Sequence, residues 1–196
     1  MQTTTLSFEN LHNHGELFAN MLRARRELFI VHNKWDLPEA LGMEYDQYDT
    51  PASRWVVVHD DMGRVLAGNR LTPTTAKCGI YTYMIRDAQL GLLDTIPSHL
   101  LYDEAPVSET VWESSRLFVA HDVPARIRRR VHGQLVYELA KAARGLGATQ
   151  CLTLLNANWP RWAGRVGVDM TAMGPVMEID GIKNQVVSMN FASNLH

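Results

Sequence analysis

The sequence has few cysteines, no long apolar run and almost no excess of charge. Its two cysteines, Cys78 and Cys151, belong to no Cys-x-x-Cys or Cys/His ligand spacing, so we predict neither a disulfide framework nor a metal site. No segment approaches the roughly 18 consecutive apolar residues of a membrane span, and the N-terminus lacks a charged start followed by an apolar stretch. We therefore expect a cytoplasmic protein with no membrane partner.

The charge balance excludes another class of partner. The formal net charge at pH 7 is -2, which argues against nucleic acid as a partner. Lysine is also scarce, because four of the nineteen basic residues are lysines and fifteen are arginines. Arginine binds carboxylates and phosphates in a bidentate manner. With 46% apolar and 20% charged residues, the chain of 196 residues is typical of one globular domain over 1–196.

Helical and strand-like patterns alternate along the chain. Apolar spacing predicts a helix over 15–34, a long loop over 35–53, and a β-hairpin of strands 54–59 and 65–71. Only short helical pieces are predicted over 72–110. Further on we predict a strand over 111–120, a helix from Pro124 to Gly145, a strand over 149–155, a helix over 159–166 and a hairpin of 176–179 with 186–190. This order predicts a mixed sheet covered by helices, of the α/β or α+β class.

Three carboxylates lie close together in the predicted loop, in the segment Glu44-Tyr45-Asp46-Gln47-Tyr48-Asp49. Acidic loops are often only solvated. Alternatively, these carboxylates hold a cationic substrate that carries an ammonium or a sulfonium group.

Two further predicted strands carry charged residues among apolar ones. Arg70 ends the first hairpin and either pairs with a surface acid or binds a carboxylate in a bidentate manner. In the strand over 111–120, alternation places Glu113 on one face and Arg116 on the other. A charged pair in such a strand needs partners or a function.

Two groups of arginines lie on predicted helices. Arg23, Arg25 and Arg26 lie beside Phe29 and form either a polar helix face or part of a lid over a site. The second group opens the helix after Pro124 and comprises Arg126, Arg128, Arg129 and Arg130. Positive charge at a helix N-terminus opposes the helix dipole, so this group is either a solvated face or a docking site for an anionic partner.

Taken in order, these motifs resemble the LuxI-type autoinducer synthases. The family's Arg, Phe and Trp positions match Arg25, Phe29 and Trp35, and its loop acids match Asp46 and Asp49. Its Arg-Leu-x-Pro-Thr and Glu-Ser-x-Arg segments match Arg70 to Thr74 and Glu113 to Arg116. The motifs cover residues from about 21 to 120, and beyond them the resemblance is general.

The resemblance implies a fold similar to the GNAT acyltransferases, with a mixed sheet flanked by helices in a three-layer sandwich. It also implies acylation of the amine of S-adenosylmethionine from an acyl carrier protein or acyl-CoA, followed by lactone closure and release of methylthioadenosine. No metal or cofactor is implied, since S-adenosylmethionine is a substrate.

The same resemblance implies roles for individual residues. Asp46 and Asp49 would take the cationic side of S-adenosylmethionine, and Arg70 its carboxylate or an ion pair that fixes the acids. Glu113 would be the base that accepts the amine proton, and Arg116 would organise the acids. The remaining matches would close over the nucleoside, namely Arg25, Phe29 and Trp35.

The acyl half of the reaction has weaker signals. Thr153 and Leu155, in the strand over 149–155, are candidates for lining an acyl pocket, although such residues are commonly core. A general GNAT-type N-acyltransferase that uses acyl-CoA is an alternative, because Arg130 to Gly133 partly matches a pyrophosphate-binding loop. A binding protein that has lost turnover is a third possibility.

Overall fold

The computed structural model describes residues 1–191, which form ten β-strands and four α-helices. The strands are β1 (Gln2–Leu6), β2 (Glu39–Ala40), β3 (Met43–Glu44), β4 (Arg54–His59), β5 (Val65–Pro73), β6 (Val111–Val119), β7 (Gln150–Asn156), β8 (Met170–Ala172), β9 (Met177–Ile179) and β10 (Ile182–Asn190). The helices are α1 (Leu17–Arg26), α2 (Met84–Gln89), α3 (Ala125–Gly145) and α4 (Trp159–Val166).

The described chain forms two compact units. The first contains residues 1–71 and 116–142, and the second contains 72–115 and the chain from 143 onward. Strands β5 and β6 and helix α3 each have residues in both units. No helix within residues 1–191 has the length and apolar character that a bilayer span requires.

In the first unit, the strands run in the order β1, β4, β5 and the end of β6. Strand β4 pairs antiparallel with β1 and with β5, and Trp55 of β4 lies opposite Leu6 on one side and Arg70 on the other. Trp55 and Val57 pack in one apolar cluster with Leu17 and Met21 of α1. This packing places α1 against one face of the strands.

Helix α1 continues directly into a π-helical turn, Glu27–His32. Such turns are rare and occur frequently at functional sites. After the turn, Lys34 adopts a φ of +61°, and the backbone N–H of Trp35 donates to the carbonyl of Phe29 at 2.9 Å. The chain therefore folds back on itself between these two aromatic residues.

The second unit contains the start of β6, strands β7 to β10, and helices α2 and α4. Strand β6 pairs parallel with β7 over Val111 to Glu113, and β10 pairs antiparallel with β7, β8 and β9. Parallel and antiparallel pairing in one set of strands confirms the predicted mixed sheet with helices, of the α+β class.

Most predicted elements are confirmed, and the differences concern short or polar segments. Four strands were not predicted. Strand β1 is mostly polar, with two of its five residues exposed, β2 and β3 are two-residue strands within the predicted loop over 35–53, and β8 has three residues. The second strand of the second hairpin also begins earlier than predicted, at Ile182 instead of 186. Polar edge strands and three-residue strands carry too little apolar alternation to be recognised.

Simple alternation along β6 ends at Arg116. This residue has a φ of +53°, in the left-handed region that residues with a side chain rarely adopt. We predicted that Arg116 lies on the same face as Trp112 and Ser114, which assumes regular strand geometry throughout. The left-handed conformation of Arg116 interrupts that regular geometry.

Candidate active site

Six charged side chains come together in the first unit, and we call them the charge cluster. They are Arg25, Glu44, Asp46, Asp49, Arg70 and Arg116. Five of these side chains are at most 5% exposed, and Arg116 is 13% exposed. Buried charges require partners, and each member has at least two within the cluster.

Arg25 reaches the cluster from α1, where it is fully buried. Its Nε donates to Glu44 Oε2 at 2.5 Å, and its Nη1 and Nη2 donate to the two oxygens of Asp49 at 2.8 and 2.9 Å. The second contact is the bidentate geometry that arginine favours. Arg25 therefore fixes both ends of the acidic loop against the helix.

Arg70 enters from β5 and binds the other loop acid. Its Nη1 donates to Asp46 Oδ1 at 2.5 Å and its Nη2 to Oδ2 at 3.2 Å, and Nη1 also lies 3.1 Å from Asp49 Oδ1. Its guanidinium carbon lies 5.6 Å from the centre of the Tyr48 ring. Arg70 thus joins the two aspartates to each other.

Arg116, at the interruption of β6, completes the cluster. Its Nε and Nη2 donate to Glu44 Oε1 at 3.1 Å, and Nη2 lies 2.9 Å from Asp46 Oδ2. Its guanidinium carbon lies 5.8 Å from the centre of the Phe29 ring. Among residues 1–191, the remaining Nη1 group has no hydrogen-bond acceptor.

The loop that carries the acids is ordered by its own hydrogen bonds. The backbone N–H of Asp46 donates to Asp49 Oδ2, and that of Tyr48 donates to Asp46 Oδ1, both at 2.9 Å. The indole Nε1 of Trp55 donates to Asp49 Oδ1 at 3.0 Å. The carboxylates of this loop therefore bind arginines and backbone amides and are not solvated.

The arginines of the cluster favour the ionised form of Asp46 and Asp49. Burial by itself would raise the pKa of Asp46, but the charges of Arg70 and Arg116 hold that pKa below its ordinary value. Burial acts in the same way on Asp49, and the charges of Arg70 and Arg25 lower its pKa well below the usual range. For Arg25, burial lowers the pKa but the charge of Asp49 outweighs it and raises the pKa. Asp46, Asp49 and Arg25 therefore keep their charges.

Two aromatic residues lie next to Arg116. The rings of Phe29 and Trp35 stack in parallel, with centroids 5.0 Å apart and an interplanar angle of 1°, and Phe118 meets Phe29 edge to face at 5.9 Å. Phe29 is buried, whereas Trp35 is 38% exposed. The outer face of this stack can accept a flat ring.

The structure brings together Arg25, Phe29, Trp35, Asp46, Asp49, Arg70 and Arg116 among the predicted residues. The other two arginines of the first helix lie elsewhere: Arg23 forms an exposed pair with Glu16 at 3.2 Å, and Arg26 donates to Glu39 on the surface. Neither closes over the cluster.

Glu113, the predicted base, belongs to the second unit. It is fully buried, and its Oε1 accepts the backbone N–H of Ile85 at 2.8 Å while Oε2 accepts that of Met84 at 3.3 Å. Both donors are in the first turn of α2. Hydrogen bonds from a helix N-terminus stabilise a carboxylate.

The predicted acyl-pocket residues lie on β7, where Thr153 pairs with Val187 of β10. Thr153 is 3% exposed and Leu155 is half-buried. Their neighbour Leu152 belongs to the apolar cluster with Tyr83 and Leu100. Strand alternation sends Thr153 and Leu155 to the face opposite Leu152.

The arginines at the start of α3 divide into two kinds. Arg126, Arg129 and Arg130 are exposed. Arg128 is half-buried, and its guanidinium donates to the carbonyls of Ala120 and Val119 at 2.9 and 3.1 Å. Arg128 therefore anchors the end of β6, unlike the other three, and the docking role of all four stays a prediction.

The sequence did not indicate that Glu44 binds arginines of the cluster, nor that Trp55 contacts the cluster at all. Glu44 bridges Arg25 and Arg116, and its place among three loop acids was the available signal. Trp55 gave no signal, since a tryptophan in a buried strand is typical core. Within residues 1–191, no three His, Cys, Asp or Glu side chains form a group that could hold a metal ion.

Comparison with known proteins identifies this arrangement. Residues 9–194 match the sequence profile of the autoinducer synthase family. The acyl-homoserine-lactone synthase of Acinetobacter nosocomialis is 29% identical over 181 residues, which cover 89% of this chain and 91% of that protein.

Solved structures agree in fold. The crystal structure of TofI in a ternary complex with an inhibitor and MTA superposes with a TM-score of 0.77 at 27% identity, covering 97% of this chain and 92% of TofI. The CoA-dependent acyl-homoserine lactone synthase BjaI, solved with SAM and isopentyl-CoA, has a TM-score of 0.77 at 20% identity, covering 96% of this chain and 82% of BjaI.

These matches confirm the predicted GNAT-like fold and the predicted acyltransferase activity, that of an acyl-homoserine-lactone synthase, over a general N-acyltransferase. The chain belongs to the autoinducer synthase family.

Proposed function

We propose that this enzyme acylates the α-amine of S-adenosylmethionine from an acyl thioester, closes the lactone on the same molecule and releases methylthioadenosine. MTA in the crystal structure of TofI, and SAM with isopentyl-CoA in that of BjaI, support these substrates. The observation that carries the proposal is the charge cluster, which presents one incompletely bonded arginine beside a pair of stacked aromatic rings.

The charges of the cluster are paired with one another, so its aspartates have a different role from the predicted binding of a cationic substrate. Asp46 accepts hydrogen bonds from Arg70 and from the backbone of Tyr48, and it also contacts Arg116. A carboxylate has about four lone-pair sites, so little capacity remains for the ammonium of a substrate. We assign Asp46 and Asp49 to holding the arginines in place.

Arg116 is then the residue that binds the carboxylate of S-adenosylmethionine. It is the most exposed member of the cluster, and its Nη1 has no acceptor within residues 1–191. Arg70 is fully buried and bonded to both aspartates, which supports an ion-pair role for it.

The stacked rings suit the rest of the substrate. The half-exposed face of Trp35 offers a stacking surface for the adenine, and aromatic faces also attract cations such as the sulfonium. The buried ring of Phe29 fixes the orientation of Trp35 by stacking against it. Arg25 contributes indirectly, by holding the acidic loop.

The chemistry proceeds in two steps. The neutral amine attacks the thioester carbonyl carbon, a carbon–nitrogen bond forms, and Glu113 accepts the proton that the amine loses. The carbon–sulfur bond then breaks, and the thiolate takes up that same proton and leaves as the thiol. A carboxylate oxygen of the same molecule then attacks the carbon bound to the sulfonium, which expels neutral methylthioadenosine. Because both groups belong to one molecule, the second step benefits from a high effective molarity.

The identity of the acyl donor is a separate part of the proposal. The exposed arginines Arg126, Arg129 and Arg130 form a positive surface at the start of α3. Charge complementarity favours an acidic acyl carrier protein as its partner. Thr153 and Leu155 remain the candidates for the acyl pocket. We place the enzyme in the cytoplasm, which agrees with unbridged cysteines at positions 78 and 151.

The test is turnover with a panel of donors. Purified enzyme is given S-adenosylmethionine with acyl carrier proteins or acyl-CoAs of several chain lengths, and the lactone and methylthioadenosine are identified by mass. We expect a lactone with at least one carrier-bound donor. Formation of an N-acyl product without methylthioadenosine would instead indicate a general N-acyltransferase.

The role of Arg116 is tested with Arg116→Ala, for which we expect a higher KM for S-adenosylmethionine and an unchanged KM for the acyl donor. Arg64→Ala is the matched control, because Arg64 belongs to the same unit but forms an exposed pair with Asp122. Equal behaviour of the two variants would contradict the assignment.

A further inference from the structure

Trp55 is an uncharged residue that donates a hydrogen bond to the charge cluster. It is a fully buried residue of β4, directly opposite Arg70 in the pairing with β5. Its Nε1 donates to Asp49 Oδ1 at 3.0 Å. The same oxygen accepts from Arg25 Nη1 at 2.8 Å and lies 3.1 Å from Arg70 Nη1.

The indole is a neutral side-chain donor at this oxygen. The cluster already contains three positive and three negative charges, so another lysine or arginine here would leave an uncompensated buried cation, which is costly. An indole N–H donates without adding charge. Trp55 therefore completes the hydrogen bonds of Asp49 and preserves the charge balance.

Packing holds the indole in the orientation that this contact needs. Phe18 meets the Trp55 ring edge to face at 4.7 Å, and Phe8 lies 5.8 Å from it. Leu6 and Met21 belong to the same apolar cluster. The direction of the N–H is thus set by the core of the first unit.

We propose that Trp55 is a positioning residue for the S-adenosylmethionine site. It acts through a continuous series of contacts, from Asp49 to Arg70, from Arg70 to Asp46, and from Asp46 to the Nη2 group of Arg116. Loss of the indole N–H allows Asp49 to shift, and the shift changes where Arg116 presents its Nη1 group. This inference rests on the proposed function.

The direct test is Trp55→Phe, which removes the N–H and keeps an aromatic ring. Since hydrogen bonds to charged groups are among the stronger ones, we expect the KM for S-adenosylmethionine to rise about tenfold. We expect kcat to change less than about twofold, and the KM for the acyl donor to stay unchanged. A residue that only supports the fold would lower the active fraction and therefore kcat, without changing KM.

Trp112→Phe is the matched control. Trp112 is also buried, at 7% exposure, but its indole N–H has no acceptor among residues 1–191. The same substitution there removes similar volume and no hydrogen bond. We expect a lower melting temperature and an unchanged KM for S-adenosylmethionine.

A second replacement covers the case in which Trp55→Phe does not fold. Benzothienylalanine introduced at position 55 has the shape of tryptophan but carries sulfur in place of the N–H. We expect the same rise in KM, and an unchanged KM in this protein overturns the proposal. Wild-type enzyme is assayed alongside: no methylthioadenosine from any donor refutes the proposed function, whereas an active wild type with equal KM in both Trp55 replacements refutes only the role of Trp55.

Discussion

Both units bury an apolar cluster, but they differ in the charged side chains that they bury beside it. The first unit buries six charged side chains that bond to one another. The second buries an apolar cluster that includes Tyr83, Ile85, Leu100, Leu152 and Val186. A buried ion network adds little net stability over apolar packing of the same volume, so its presence indicates a demand for fixed geometry. The first unit therefore combines apolar packing with a charge network that fixes the geometry of its side chains.

The largest expected effect comes from breaking the charge cluster. Arg25→Ala leaves Glu44 and Asp49 buried without the guanidinium that binds both, so the free energy of unfolding should fall by about 3–5 kcal/mol. Urea denaturation followed by circular dichroism measures this change.

The control is Arg23→Ala on the same helix. Its side chain is 48% exposed and pairs with the exposed Glu16, so the expected loss is at most about 1 kcal/mol. Equal losses for the two variants would contradict the distinction between the buried cluster and surface pairs.

The next largest effect is expected at Glu113, the predicted base, which belongs to the second unit. Glu113→Gln should lower kcat about 100-fold, because proton acceptance is lost, while the Gln oxygen still accepts a backbone N–H of α2. Activity should recover partly above pH 8, since an α-amino group loses its proton near pH 7.7–8.0 without help.

Glu109→Gln serves as its control, because Glu109 is exposed and lies just before β6. The measurement is methylthioadenosine release against pH, together with thermal melts. A Glu113 variant that loses activity equally at every pH would indicate a structural role.

Glycine substitutions compare the packing of the two units. A Cβ added at Gly174 would lie 1.9 Å from the carbonyl oxygen of Leu100, whereas one added at Gly68 would lie 2.8 Å from the ring of Phe118. Overpacking costs about 1–3 kcal/mol, and a backbone obstacle yields less than a side chain. Gly174→Ala should therefore be the more destabilising in urea unfolding.

Gly68→Ala and Gly174→Ala should also differ in whether they change substrate binding. Phe118 contacts Phe29, so Gly68→Ala should raise the KM for S-adenosylmethionine, and Gly174→Ala should change stability alone. Gly133→Ala, in α3 with nothing within 4 Å, should stabilise the protein by about 0.5–1 kcal/mol. A KM change in Gly174→Ala would remove this contrast between the units.

Acidification is the mildest perturbation. The folded pKa values of Asp46 and Asp49 lie below the ordinary value of 3.8, so the unfolded chain binds protons that the folded chain does not. Their contribution to stability is complete above about pH 5 and is lost as the pH falls toward the folded pKa values. Urea midpoints measured between pH 7 and 3 should be flat at first and then decline.

Arg25→Ala should decline less steeply over the same range, because the pKa of Asp49 returns toward its ordinary value without that guanidinium. An identical decline in the variant would show that other carboxylates dominate the acid response.

Much of the fold follows from local pattern. The hairpin of β4 and β5, the helix α3 after Pro124 and the strand β7 were predictable, because apolar period and turn residues are local signals. The order of charged motifs identified the family. The prediction of one domain over 1–196 stays a prediction, as do the catalytic roles of individual residues.

Sequence alone therefore determined which residue types occur in which order, and from them the family and the candidate residues. Only the tertiary structure decided the partners: Arg25 binds acids 19 and 24 positions away, and Arg116 binds Glu44 across 72 positions. Such pairings depend on strands and loops that the fold brings together, and no local period encodes them. For the same reason the contact of Trp55 with Asp49, and the left-handed backbone at Arg116, could be seen only in the folded chain.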